Sequence, residues 1–249
     1  DVRRMTTRFK HKNKTRTGKV ERSSTGGPEI SRSAFLMKAG IMATSVPVVA
    51  LGAGIVSRVG VFDYRVKRVN LYLPNLPKKF DGLRLGQISD IHCGSYHKND
   101  RIKIKGGVDM LLNEKPDLIF FTGDLVNDLA AEIAPVYDIF SKIKAPLGVY
   151  STLGNHDYGD YSHLTGIPRK KNREAMLGIH KNYGWNLLLN ENRRLKVDGE
   201  EIGILGIENW GVLSRFPKYG RMDLAVKNTD DLPVKLLLSH DPSHWRAEV

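Results

Sequence analysis

The sequence predicts an α/β fold in which helices cover β-sheets. Two observations carry this. From residue 65 onward, short apolar runs alternate with stretches that read as helices. Four of the apolar runs end in words made of Asp, His and Asn, the residue types that gather outside the carboxyl ends of strands in such folds.

The elements follow in order. RVKRVNLYL (65–73) alternates like a half-buried strand, and LRLGQIS (83–89) reads as a second. RIKIKGGVDMLLNEK (101–115) is a helix closed by Pro116, DLIFFTG (117–123) a fully buried strand, and APVYDIFSKIK (134–144) another helix. LGVYSTLG (147–154) is a strand, followed by a polar stretch over 159–174 and a helix near 174–183. Strands are expected near 186–189, 194–198 and 202–207, and VKLLLSH (234–240) is the last.

The net charge of +12 over 249 residues looks like a nucleic-acid signal until it is located. Residues 1–38 carry 11 of the 39 Lys and Arg against three acids, so they hold +8 and the remainder only +4. The basicity belongs to a tail, and no specific nucleic-acid partner is expected. Residues 1–33 lack apolar periodicity and read as a basic, disordered segment. Residues 39–56 carry no charge and would span ~27 Å as a helix. The segment 34–61 is therefore expected to be a transmembrane or signal-anchor helix, with a cleaved signal core and a buried helix as alternatives. Its basic flank precedes it, which orients the remainder, a domain over 65–249, to the extracytoplasmic side of a bacterial cytoplasmic membrane. The single cysteine, Cys93, excludes a disulfide framework and a cysteine-built zinc site. The chain begins with Asp1, and is expected to be a piece of a longer or processed protein.

The chemistry-bearing words are Ser89-Asp90-Ile91-His92, Gly123-Asp124, Gly154-Asn155-His156-Asp157 and Ser239-His240-Asp241. Asp90 and His92, two apart on an extended chain, would face the same way and grip one cation. Asp124 follows a glycine that lets the backbone turn sharply, and its two oxygens can bridge two cations. Asn155 adds a neutral oxygen and His240 an imidazole. This oxygen and nitrogen donor set suits Mn, Fe or Zn. Taken singly, each word is more often a turn, a cap or a core histidine. Their joint occurrence at four strand ends is what points to one site. Three loop segments, 158–163, 208–211 and 215–220, read as packed surface or as a substrate-recognition rim.

In these four words the sequence resembles the calcineurin-like metallophosphoesterases, nearest their membrane-associated bacterial branch. The resemblance covers about residues 65–249 and implies a four-layer α-β-β-α sandwich, two mixed sheets flanked by helices. It implies two divalent metal ions, Asp90 and His92 on the first, Asp124 bridging, Asn155 and His240 on the second. It gives His156 a role at the phosphate and leaving group, oriented by Asp157. It also implies a phosphoester substrate, lipid-linked if the domain is tethered to a membrane. The family's closing Gly-His-x-His word does not occur before Val249. The domain is therefore expected to be truncated and to bind metal weakly as it stands. A catalytically silent membrane-bound scaffold of the same fold is the alternative.

Overall fold

The computed structural model describes residues 4–10, 62–213, 216 and 218–249. The described residues 4–10 and 64–249 belong to one compact unit. The apolar helix expected over 34–61 lies outside the described residues. Among the described residues, no helix is long and apolar enough to cross a membrane.

Six strands form the first sheet: β1 (Arg4–Lys10), β2 (Val66–Tyr72), β3 (Arg84–Ile88), β4 (Leu118–Phe121), β5 (Val149–Ser151) and β6 (Asn186–Leu187). Their order is β2-β1-β3-β4-β5-β6, with β3 through β6 parallel and β1 antiparallel to β3. The second sheet holds β7 (Glu191–Val197), β8 (Glu200–Gly206) and β9 (Lys235–Leu238), with β8 antiparallel to β7 and parallel to β9. The described residues also hold the α-helices α1 (Arg101–Asn113), α2 (Tyr137–Phe140), α3 (Gly166–Tyr183), α4 (Met222–Ala225) and α5 (Ser243–Glu248).

Alternation along the strands builds the layers. Leu85, Leu118, Phe120 and Tyr150 pack with Leu195, Ile202, Ile204 and Leu238, so one face of the first sheet lies on the second. Ile88, Ile119, Phe121 and Val149 turn the other way, onto Val108 and Leu111 of α1, Ile139 and Phe140 of α2, and Met176 and Ile179 of α3. The outer face of the second sheet puts Leu205 and Ile207 against Ala225 of α4. Each large apolar side chain buried this way contributes roughly 1.5–3 kcal/mol.

Three expectations need correction. Arg4–Lys10, inside the segment expected to be disordered, is a strand that pairs with both β2 and β3. Its sequence alternates Met5, Thr7, Phe9 with charged residues and Thr6, a period-two pattern masked by the basic composition around it. The helix expected over 134–144 is a 3-10 segment over Ala130–Val136 followed by four residues of α2. Pro135 lacks the N–H that would join the 3-10 segment and α2 into one α-helix. Conversely, α3 starts at Gly166, within the stretch read as polar. It buries nothing before Met176, so its first turns carry no apolar signal.

Candidate metal centre

Because β3, β4 and β5 are parallel and adjacent, the residues following them emerge on one sheet edge. The chain after β9 meets the same edge from the second sheet. Backbone bonds join these ends: Asp90 N donates to the Gly123 carbonyl (3.0 Å), His92 N to Asp124 (3.1 Å), and Thr152 N to Phe121 (3.0 Å). The Thr152 hydroxyl donates across to the Ile207 carbonyl of the second sheet.

The site residues do not sit on extended chain. Asp90, His92 and Asp124 have φ of 55°, 51° and 58°, three of the seven non-glycine residues at positive φ among those described. Such conformations are costly and persist only where the surroundings enforce them. The expected extended Asp90–His92 pair is thus corrected: each turns separately toward Asp124. Space there is tight. A Cβ on Gly154 would lie 2.2 Å from Asp124 Oδ1, and one on Gly123 2.3 Å from the Gly154 nitrogen.

Asp124 is the centre of the arrangement. Its Oδ2 lies 3.3 Å from His240 Nε2 and 3.4 Å from His92 Nε2. Its Oδ1 accepts from the His156 backbone N–H at 2.9 Å. Two groups of ligand atoms form around it, Asp90, Asp124, His240 and His92, Asp124, His156. Asn155 Oδ1 joins the first, 3.2 Å from His240 Nε2. The grouping differs from the expected one, which put Asp90 and His92 on the same ion.

The donor set fits divalent cations. His240 Nδ1 donates to the Thr122 carbonyl at 2.8 Å, and His156 Nδ1 to the Asn127 carbonyl at 2.6 Å. Each bond fixes the ring and leaves Nε2 for the centre, the usual outer support of a metal-binding histidine. Burial pushes the His92 imidazole below its ordinary value, which favours the neutral form that a cation needs.

Asp157 does something other than orient His156. Fully buried, it accepts backbone N–H groups from Asp124 (2.8 Å), Leu125 (2.8 Å), Val126 (3.4 Å) and Gly154 (2.9 Å). Burial, with the Asp124 charge added, raises its pKa to about 7 against the pull of those donors. It pins the β4 and β5 ends together. Asp241 accepts from the N–H of Ser243, the first residue of α5, at 2.8 Å. Cys93 is buried. Sequence reasoning missed Glu132, which accepts from the backbone of Asn127, Asp128 and Leu129. No capping-box signature marks it, because Leu129, three residues earlier, has no side-chain acceptor. It also missed Tyr161, whose hydroxyl accepts from Asn155 Nδ2 at 3.0 Å.

Residues 83–248 match the calcineurin-like phosphoesterase family. The chain belongs to that family. It is 31% identical to the uncharacterized metallophosphoesterase YkuE of Bacillus subtilis over 66% of this chain and 59% of that protein. It is 25% identical to a putative metallophosphoesterase of Caenorhabditis elegans over 73% of this chain and 36% of the other. It is 40% identical to the UDP-2,3-diacylglucosamine pyrophosphatase LpxG of Chlamydia trachomatis over 39% and 29%. The chain thus spans less than two thirds of each of these relatives. Among solved structures, the NAD nucleotidase of Haemophilus influenzae aligns at a TM-score of 0.42 and 17% identity, over 67% of this chain and 35% of that one, too distant to bear on the argument. As a metallophosphoesterase domain, the chain presents its candidate divalent-metal ligands in the two groups that meet at Asp124.

Proposed function

We propose that this domain hydrolyses a phosphoester or pyrophosphate bond at a two-metal centre that shares Asp124. The observation that carries the reading is the convergence of His92 and His240 on one Asp124 oxygen. Divalent ions bound there would neutralise the phosphoryl oxygens and lower the pKa of water. The chain's own residues do the rest. Asp90, His92, Asp124, Asn155 and His240 hold the charge. His156, although it lies in one ligand group, is read as the proton donor rather than a metal ligand: locked through Nδ1, it offers Nε2 to the leaving-group oxygen. Asp157 keeps the two loops in register.

The substrate reading is a lipid-linked phosphoester. It is supported by the name of the Chlamydia relative, a pyrophosphatase of a diacylated sugar nucleotide. The uncharged run over 39–56 and its basic flank support a membrane tether with this domain on the extracytoplasmic side. The test is hydrolysis of bis(p-nitrophenyl) phosphate and of a diacylated sugar-nucleotide pyrophosphate by dialysed protein, with and without Mn²⁺. Metal-dependent turnover that favours the lipid substrate is expected. A chain that binds Mn²⁺ and turns over neither is the silent scaffold.

A further inference from the structure

The loop over 158–163, read from sequence as packed surface or recognition rim, lies against the metal centre. Tyr161 touches two of its residues. Its hydroxyl accepts from Asn155 Nδ2 at 3.0 Å, and its ring lies 4.8 Å from the His156 ring. The Asn155 amide is therefore used at both ends, Nδ2 on Tyr161 and Oδ1 toward His240 Nε2. An amide is nearly symmetric in shape, but only its oxygen can bind a cation. Turned over, it would present two N–H groups to the ion.

The loop holds Tyr161 firmly. Gly159 turns the chain at φ 70°, and Ser162 closes the turn onto the Gly159 carbonyl through its N–H (3.2 Å) and its hydroxyl (2.6 Å). Asp160 pairs with Arg169 of α3, and the Tyr219 hydroxyl lies 3.4 Å from Asp160. A side chain anchored this way can select one orientation of its neighbour.

We propose that Tyr161 is a positioning residue whose hydroxyl keeps the Asn155 amide oxygen turned toward the cation beside His240. The inference rests on the metal-centre reading above.

A double-mutant cycle on the full chain tests it, with Mn²⁺ alone as probe and free Mn²⁺ followed by electron paramagnetic resonance. Tyr161→Phe keeps the ring and removes the acceptor. It should weaken binding of one Mn²⁺ by about 10–100-fold, the usual cost of losing an outer-shell partner. In an Asn155→Asp background, where both ends of the side chain are oxygens, the same substitution should cost little. Tyr219→Phe, which removes one tie to Asp160 of the loop without touching Asn155, should weaken binding by clearly less than Tyr161→Phe does. Equal losses in both backgrounds, no loss from Tyr161→Phe, or an equal loss from Tyr219→Phe would each overturn the inference and leave the two-metal reading intact. An unsubstituted chain that holds no Mn²⁺ beside Asn155 contradicts both.

Discussion

Nε2 of His240 lies 3.3 Å from Oδ2 of Asp124, close enough for the protonated ring to donate its proton to the carboxylate. Burial alone would depress the His240 imidazole, but the hydrogen bond and charge of Asp124 outweigh it and raise its pKa to about 9. Burial likewise opposes the Asp124 carboxylate, yet His240 holds it below its ordinary value. A metal ligand must be neutral imidazole, so a cation entering here expels that proton. Mn²⁺ affinity should therefore rise by about tenfold per pH unit from pH 6.5 toward 9. Titrations at three pH values check this; an affinity flat over the range speaks against the assignment of His240.

Gly154→Ala places a methyl group where Asp124 Oδ1 now lies. The carboxylate has to move, and both groups of ligands lose their common member. Mn²⁺ binding at both sites should fall together, by at least the ~10–100-fold that a disturbed metal shell costs. Stoichiometry by inductively coupled plasma spectrometry checks it. Full occupancy in the variant means that Asp124 is not shared.

His156 and Asp157, adjacent in sequence, should separate in their effects. His156→Gln removes the proton donor, and kcat should fall by about 10²–10⁴-fold with the unfolding midpoint unchanged. Asp157→Ala orphans buried backbone N–H groups, each costing about 1–3 kcal/mol, and the loss should appear in urea unfolding. A stable Asp157→Ala protein would contradict the pinning role.

His180 supplies a stability test remote from the metals. Its Nδ1 lies 3.0 Å from the Ser151 hydroxyl, and Nε2 is buried with no hydrogen-bond partner among the described residues. Phe121 and Trp185 pack around the ring. Burial lowers its pKa to about 4. The unfolded chain takes up this proton near pH 6.5 and the folded chain does not, so stability is full above pH 6.5 and falls as pH drops toward 4. The loss is on the order of 3 kcal/mol. His180→Gln should flatten that limb of the pH–stability curve; an unchanged slope assigns the acid sensitivity elsewhere.

The strands nearest the site were legible because burial on both faces writes continuous apolar runs, as in Leu118–Phe121. The words after them were legible because polar ligands stand out against such runs. What escaped was set by tertiary contact. The strand Arg4–Lys10 is written in a basic segment and stabilised by pairing with β2 and β3. The left-handed turns at Asp90 and His92 depend on bonds to Gly123 and Asp124, far along the chain. Asp157 looked like a partner for its neighbour His156, yet its bonds run mostly to Asp124, Leu125 and Val126, more than thirty positions earlier.

The central claim is that one carboxylate, Asp124, joins two cation positions. Anomalous diffraction from crystals grown with Mn²⁺ tests it most directly. Two peaks about 3.5–4 Å apart, each in bonding contact with Asp124, are predicted. A single peak, or a pair lying away from Asp124, contradicts the account.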